Sequence, residues 1–436
     1  MQSPKKVSFH TLGCKLNFSE TSALARQFQD GGYVRTERSG DADICVVNSC
    51  SVTEHADKKC RNLIRKIHRE NPQAIIAVTG CYAQLKPADI AAIDGVDIVL
   101  SNNDKGELFS RVTSISSKGK CETHSCSTEE LTSFFAAFSG GDRTRAFLKV
   151  QDGCDYKCTY CTIHNARGSS RNIAIAELIT EARMISAEGR KEIVITGVNT
   201  GDFGRTTGEN FIDLLRALDG VEGIERYRIS SIEPNLLTDD IIDFCATSNK
   251  FQHHFHIPLQ SGSDEILGKM RRRYNSAMFA GRIEAVRKRM PDAFIGIDVI
   301  VGFPGETEAN FRETYEFLEK VEPAYLHIFP YSIRANTPAA DLAGKVNDSV
   351  KTARVKELGA LSQKLSGKFY GKAIGRKAWV LFESSRRNGF MYGFTGNYIK
   401  VGIPYDKGRV NMLSEVLLTG INDSGDMSAV FTGREK

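Results

Sequence analysis

The chain has 436 residues, with 58 Lys and Arg against 53 Asp and Glu, a formal net charge of +5. Hydrophobic residues make up 41% and charged residues 25%, and no apolar run reaches the roughly 20 residues that span a bilayer. That excludes a disordered, a collagen-like or a helical membrane chain, and the length predicts about two to four domains. The opening MQSPKKVSFHTLGC lacks a long apolar stretch, so no secretory signal is expected. Eleven cysteines without such a signal read as metal ligands or free thiols, and the expected compartment is the cytoplasm.

Residues 1–110 are predicted to form a parallel α/β domain. Lys6–Leu12, Asp43–Asn48, Ala74–Thr79 and Val96–Leu100 read as strands, with helices over Ser19–Asp30 and Val52–Asn71. Apolar strands alternating with helices imply a parallel sheet covered on both faces. Cys14, Cys50 and Cys81 follow the first three strands (HTLGC, VVNSC, VTGC). All three are thereby placed at the carboxyl edge, where open α/β sheets bind ligands. Glycines at 13 and 80 allow close backbone approach there. A three-thiolate cluster is one reading. The other is a set of small buried hydrophobes, which is the reading for Cys45 and Cys60. Residues 111–143 read as a connector, with Cys121 and Cys126 as free thiols and Phe134, Phe135 and Phe138 covering a neighbour.

Residues 144–370 read as one domain, in which strand and helix repeat about six times over 144–335 and 340–370 is a charged helical stretch expected to pack across the barrel. The strands are Ala146–Val150, Glu192–Thr196, Arg226–Ser230, His253–Ile257, Ile295–Val301 and Tyr325–Phe329. Helices are expected over Ala174–Glu188, Asn210–Leu218, Thr238–Ala246, Asp264–Lys269, Ser276–Arg289 and Glu308–Val321. Six such units fit an open, partial barrel, whose working residues lie on the loops after the strands. After the first strand comes GCDYKCTYCTIHNARGSSR, where Cys154, Cys158 and Cys161 make a C-x3-C-x2-C run. A structural zinc would need a fourth ligand, and His164 lies outside the usual spacing. An iron–sulfur cluster on three thiolates fits better than zinc and leaves one iron open. The loops TGVNTGDFG, SSIEP, PLQSGS, GFPGET and PYSIRANTP follow the other strands. Together they suit a polar ligand, with Tyr160, Gly197, Asn199, Ser231, Glu233, Gln260, Ser261 and Gly302 as candidate contacts.

Residues 371–436 carry 10 Lys and Arg against 6 Asp and Glu. Short β-rich runs between Gly, Asn and Asp turns predict a small all-β barrel. Arg376, Trp379, Arg386, Arg387, Tyr392, Tyr398 and Lys400 could contact phosphates and stack on unpaired bases. The alternative is a solvated surface around a core Trp.

The C-x3-C-x2-C loop resembles that of the radical S-adenosylmethionine (SAM) enzymes. Taken in order, HTLGCKLN, VVNSCSVT, VTGCYAQ, this loop and the basic tail resemble the methylthiotransferases of that class over nearly the whole chain. The resemblance implies two [4Fe–4S] clusters, an auxiliary one on Cys14, Cys50 and Cys81 and a SAM-binding one on Cys154, Cys158 and Cys161. It also implies a C-terminal TRAM-like RNA-binding barrel. One branch of the family methylthiolates isopentenyl-adenosine in tRNA, one threonylcarbamoyl-adenosine in tRNA, and one an aspartate of a ribosomal protein. TLGCKLN, TGVNTGDFG and SSIEPNLL look most like the threonylcarbamoyl-adenosine branch, the MtaB type. That branch acts at C2 of the base next to the anticodon, so the implied partners are a tRNA anticodon stem-loop and an electron donor such as flavodoxin or ferredoxin. A monomer is expected.

One SAM would methylate a sulfur held at the auxiliary cluster, and a second would give the radical. Arg167, Arg171 and Arg334 are candidates by position for the threonylcarbamoyl carboxylate. Arg386, Arg387 and the run Arg271–Arg273 are candidates for phosphates, the run being otherwise a solvated helix end. The chain departs from the family after Cys161, where His164-Asn165 replaces the usual Pro-aromatic pair and a fixed φ is lost. A non-catalytic RNA-binding iron–sulfur protein is the alternative of another class.

Overall fold

The structure is a computed structural model that describes residues 4–115, 118–141 and 143–436. The N-terminal sheet is all parallel, in the order β2-β1-β3-β4-β5-β6. Its strands are β1 (Lys6–Thr11), β2 (Val34–Arg35), β3 (Ile44–Ser49), β4 (Ile75–Gly80), β5 (Val96–Leu100) and β6 (Glu122–His124). Side-chain alternation splits β3 between two cores. Cys45 and Val47 pack with Ile64 and Ile67 of the helix Glu54–Glu70. Ile44 and Val46 pack with Leu24 and Phe28 of α1 (Lys15–Asp30). The central strands are therefore buried on both faces and read as unbroken apolar runs.

The connector reading needs correction. The helix Leu108–Ser114 and β6 belong to the first domain, which runs past the predicted boundary at 110. β6 is a short, largely exposed polar strand, so no periodicity marks it. Farther along, Ser139 donates its N–H to the Phe147 carbonyl at 2.9 Å, laying the segment along the first barrel strand.

That barrel consists of β7 (Ala146–Lys149), β8 (Glu192–Thr196), β9 (Arg226–Ile229), β10 (His254–Gln260), β11 (Phe294–Val301) and β12 (Tyr325–Pro330). They form two parallel sheets, β7-β8-β9 and β10-β11-β12, linked by bridges Tyr227↔Phe251 and Ser231↔His256. Leu148, Ile193, Ile195 and Ile297 face the outer helices. The barrel is not closed by its own strands, and α1 lies along β7. Phe18 meets Phe147 edge-on at 5.9 Å, and Glu20 Oε1 accepts from Lys149 Nζ at 2.8 Å. α1 is thus buried on two sides, which explains why polar residues from Asn17 to Ser22 are largely buried.

The helix Asp348–Gly371 leads to β13 (Lys377–Arg387), β14 (Phe390–Thr395), β15 (Lys400–Pro404), β16 (Leu413–Ile421) and β17 (Met427–Glu435). These close into a barrel in the order β13-β14-β15-β17-β16 around Val380, Phe382, Val401 and Val416. It docks on the amino ends of the central strands. Arg226 Nη1 donates to the Phe394 carbonyl at 3.0 Å and Arg228 Nη2 to the Thr395 carbonyl at 2.7 Å. Among the described residues no helix is long and apolar enough to cross a membrane.

Candidate active site

The loop after β7 is strapped shut at its ends. Asp152 and Arg171 exchange backbone hydrogen bonds at 3.0 and 2.9 Å, and Cys154 N–H donates to the Gly168 carbonyl at 3.0 Å. Gly153 sits at φ +72, where a Cβ would meet the Ser169 carbonyl at 2.0 Å, so only glycine fits. Inside this strap lie Cys154, Cys158 and Cys161. His164 Nδ1 lies 2.9 Å from the Cys154 carbonyl, so the imidazole ties the loop at the position where the sequence resemblance implies a proline. Burial pushes the Cys154 and Cys161 thiols up to about 12. Ligation to a metal would reverse that, because coordination stabilises the thiolate.

Arg272 corrects the reading of the Arg271–Arg273 run. Its side chain is 3% exposed, and Nη1 donates to Cys158 Sγ at 3.0 Å and to the Tyr160 hydroxyl at 3.5 Å. Nη2 pairs with Glu233, and Nε donates to the Tyr274 hydroxyl at 3.0 Å. Burial holds the Glu233 carboxyl above its ordinary range, against the pull of Arg272. A cation so placed cannot hold an RNA phosphate. Three arginines in a row look like surface from sequence, and only the fold turns the middle one inward.

The loop residues divide into two groups. Asn199 is buried and both polar atoms of its side-chain amide lack partners, while its N–H donates to Gln151 Oε1 at 2.9 Å. A buried amide left open in this way suits a polar ligand. Gly197 leaves room beside Gln151, where a Cβ would come to 3.0 Å of Oε1. Gln260 stands at φ +68 at the end of β10, beside a register shift. Other positions serve the scaffold. The Ser231 carbonyl accepts from Thr200 Oγ1 at 2.8 Å, Ser261 Oγ meets Thr314 Oγ1 at 3.2 Å, and the Gly302 N–H donates to the Glu306 carboxylate.

Cys14, Cys50 and Cys81 stand at the carboxyl ends of β1, β3 and β4. Cys14 is exposed and caps α1, while Cys50 and Cys81 are buried. Gly13, at φ +104, would put a Cβ 2.8 Å from Cys50 Sγ, so its missing side chain is what lets Cys14 and Cys50 share one neighbourhood. Cys45 and Cys60 are fully buried in the core. Thiolate donors of one kind at a sheet edge, and three more on one loop, suit iron–sulfur ligation.

The three arginines proposed for a substrate carboxylate have other duties. Arg167 is buried, and Nη1 donates to Glu20 Oε1 and to Asp152 Oδ1, both at 2.9 Å. Arg171 Nε donates to the Ser133 carbonyl at 2.7 Å. Arg334 Nη2 donates to Ser51 Oγ at 2.7 Å and Asp57 Oδ2 at 2.9 Å. Their guanidinium groups are spent on joining the first domain and the connector to the barrel. The partners that make these joints, Glu20, Ser133, Ser51 and Asp57, lie 38 to 283 residues away in sequence, so position on a loop could not reveal this. Glu20, the shared acceptor for Arg167, Lys105 and Lys149, was not marked by any motif. Its only signal is a carboxylate in a helix otherwise destined for burial. Arg386 and Arg387 are exposed at the tip of the β13–β14 hairpin, and the Arg386 guanidinium lies 5.3 Å from the Tyr405 ring. Tyr398 turns the other way, stacked on Phe394 at 4.6 Å and accepting from Arg145 Nη1 at 3.3 Å, so it faces the barrel and not solvent.

Two family models match the chain, one described as "Uncharacterized protein family UPF0004" over residues 6–101 and one as "Radical SAM superfamily" over residues 148–318. The threonylcarbamoyladenosine tRNA methylthiotransferase MtaB of Bacillus subtilis (strain 168) is 41% identical over 435 residues, covering 96% of this chain and 94% of that one. The tRNA-2-methylthio-N(6)-dimethylallyladenosine synthase of Paenarthrobacter aurescens (strain TC1) is 33% identical over 401 residues, covering 90% and 78%. Among solved structures, the radical SAM methyltransferase TsrM from Kitasatospora setae superposes with a TM-score of 0.56 at 13% identity, over 78% of this chain and 77% of that one. At that identity the likeness is one of fold. Membership of the radical SAM class implies SAM and a [4Fe–4S] cluster, for which the Cys154 loop and the open Asn199 amide are suited. On sequence, fold and site together, the chain belongs to the radical SAM methylthiotransferase family.

Proposed function

We propose that this enzyme methylthiolates C2 of N6-threonylcarbamoyladenosine next to the anticodon of tRNA, using two SAM molecules and cluster-bound sulfur. The observation that carries this reading is the 41% identity to an enzyme of that name, over nearly the full length of both chains. The relative named for dimethylallyladenosine stands lower, at 33%.

On this reading Cys154, Cys158 and Cys161 hold one [4Fe–4S] cluster, and Cys14, Cys50 and Cys81 hold an auxiliary one. When bound, these groups and SAM supply a 5′-deoxyadenosyl radical and a methylated sulfur for transfer. The residues around them bind and orient. Arg272 sets a positive charge on Cys158 and ties it to Glu233. Asn199 offers a donor and an acceptor to the adenosyl group. Glu20, paired with both Arg167 and Lys149, fixes the helix after Cys14 against the loop that carries the other three cysteines. The two cysteine sets are thereby held as one rigid unit, which suits a transfer between them. Exposed Arg386 and Arg387 hold phosphates while the base is presented unstacked.

The test is mass spectrometry of tRNA nucleosides from cells with and without this gene. Loss of the 2-methylthio form of threonylcarbamoyladenosine, with its precursor accumulating, is the expected result. Loss of the isopentenyl counterpart would keep the chemistry and overturn the substrate. An unchanged tRNA profile would overturn both and move a ribosomal protein's aspartate to the front.

A further inference from the structure

A cavity of about 520 Å³ lies where the three domains meet. α1 and its cap bring Cys14 and Lys15 to it, the barrel brings Arg145, Arg228 and His254, and the C-terminal barrel brings Tyr398. Its charge is positive and only partly answered. Arg145 pairs with Glu383 at 2.9 Å, and Arg228 pairs with Glu192 at 2.7 Å. Glu192 is also shared with Arg226, at 3.8 Å. Among the described residues Lys15 pairs with no carboxylate. His254 is a second sign of an unmet need. It is 8% exposed, it lines the cavity, and its Nδ1 has no hydrogen-bond partner. A buried polar atom without a partner costs stability unless something fills the site. A surplus ammonium and an open imidazole nitrogen together ask for an anionic group that can also accept or share a hydrogen bond, as a carboxylate does.

The position of the cavity points to its occupant. It reaches Cys14, one of the residues assigned to the sulfur-bearing site. A base that offers C2 to that site must place the rest of its six-membered ring nearby. C2 and C6 of adenine both adjoin N1, so an arm on N6 leaves the ring on the same side of the molecule and needs space beside Cys14. We propose that this cavity receives the carboxylate-bearing arm of the substrate nucleoside, with Lys15 as its counter-charge and the specificity-determining residue. The proposal rests on the threonylcarbamoyl reading given above. Arg145 and Tyr398, joined at 3.3 Å, form the floor, and His254 adds a hydrogen bond to the arm. An apolar isopentenyl arm in the same place would strip water from Lys15 and return nothing, which is discrimination by penalty as well as by attraction.

The test uses the full-length reconstituted protein and two anticodon stem-loop RNAs that differ in one group. One carries threonylcarbamoyladenosine with its free carboxylate, and the other carries the neutral methyl ester. Equilibrium binding of both is measured at one fixed salt concentration, so that the phosphate contribution cancels in the ratio. The wild type is expected to prefer the carboxylate by about tenfold or more. Lys15→Gln should bring the ratio close to one, and Lys15→Arg should restore most of it. The ester comparison in the wild type needs no variant, and Lys15→Met replaces Lys15→Gln if the latter does not accumulate. A wild type that binds both RNAs equally, or a Lys15→Gln that keeps the wild-type ratio, overturns the proposal. If cells still depend on this gene for 2-methylthio-threonylcarbamoyladenosine, only the cavity assignment falls. If they do not, the substrate reading falls with it.

Discussion

Arg272 donates a hydrogen bond to Cys158 Sγ across 3.0 Å, although 114 residues separate them in the chain. The guanidinium is buried and bound on its other side to Glu233, so it cannot swing away. A cationic donor on a cluster thiolate draws negative charge from the sulfur and favours the reduced form. Arg272→Met should therefore make the reduction potential of the reconstituted SAM-binding cluster more negative, on the order of tens of millivolts, with Arg272→Lys in between. A redox titration followed by electron paramagnetic resonance reads this directly. An unchanged potential would mean that Arg272 acts only on Glu233.

Two separate cysteine sets make a simple prediction about metal content. With Cys154, Cys158 and Cys161 replaced by Ala, the anaerobically reconstituted protein should keep about half its iron. The same should hold for Cys14, Cys50 and Cys81. Loss of all iron in either variant, or of none, would contradict two independent sites.

The hairpin tip of the C-terminal barrel carries Arg386 and Arg387 into solvent. If each neutralises one phosphate, the double variant Arg386→Ala/Arg387→Ala should weaken tRNA binding at every sequence alike. The slope of log K against log salt should fall by about two. Filter binding at several salt concentrations measures it, and an unaltered slope would remove this hairpin from the RNA surface.

Glu181 on the helix Ile175–Ala187 has its Oε2 buried without a hydrogen-bond partner. Burial raises its carboxyl from the ordinary 4.5 to about 7, against the pull of Arg26 and Lys149. Between those two values the folded chain holds a proton that the unfolded chain has released, so stability falls as pH rises through the window. Glu181→Gln is neutral throughout and lacks this decline. Its melting temperature should gain on the wild type by a few degrees between about pH 5 and about pH 8, measured by calorimetry. A gap that stays constant with pH would show that the group does not titrate there.

Barrel strands such as Glu192–Thr196 and Phe294–Val301 were legible because they are short apolar runs that end at a glycine. Asp264–Lys269, Ser276–Arg289 and Glu308–Val321 stand where periodicity puts them. The cysteine spacing was legible because ligands on one loop leave a local pattern. β6 was not, since three exposed polar residues have no period to read. The roles of Arg167, Arg272 and Arg334 were not legible either. An arginine shows its charge in sequence, but burial depends on carboxylates such as Glu20, Glu233 and Asp57 that only the fold brings near. Lys15 lay in view inside HTLGCKLN, and what distinguishes it is the empty space in front of it.

Glu20 also bears on how the chain is made. During synthesis it leaves the ribosome 129 residues before Lys149 and 147 residues before Arg167. Until those arrive, Lys105 is its one buried ion-pair partner among the described residues, and the side of α1 that later meets β7 faces water. The first domain can form its sheet early, but it cannot settle α1 on both sides until the cysteine loop of the second has emerged. A fragment that stops before the loop therefore keeps the Glu20–Lys105 pair, one charge against one, on a helix whose β7-facing side is left uncovered.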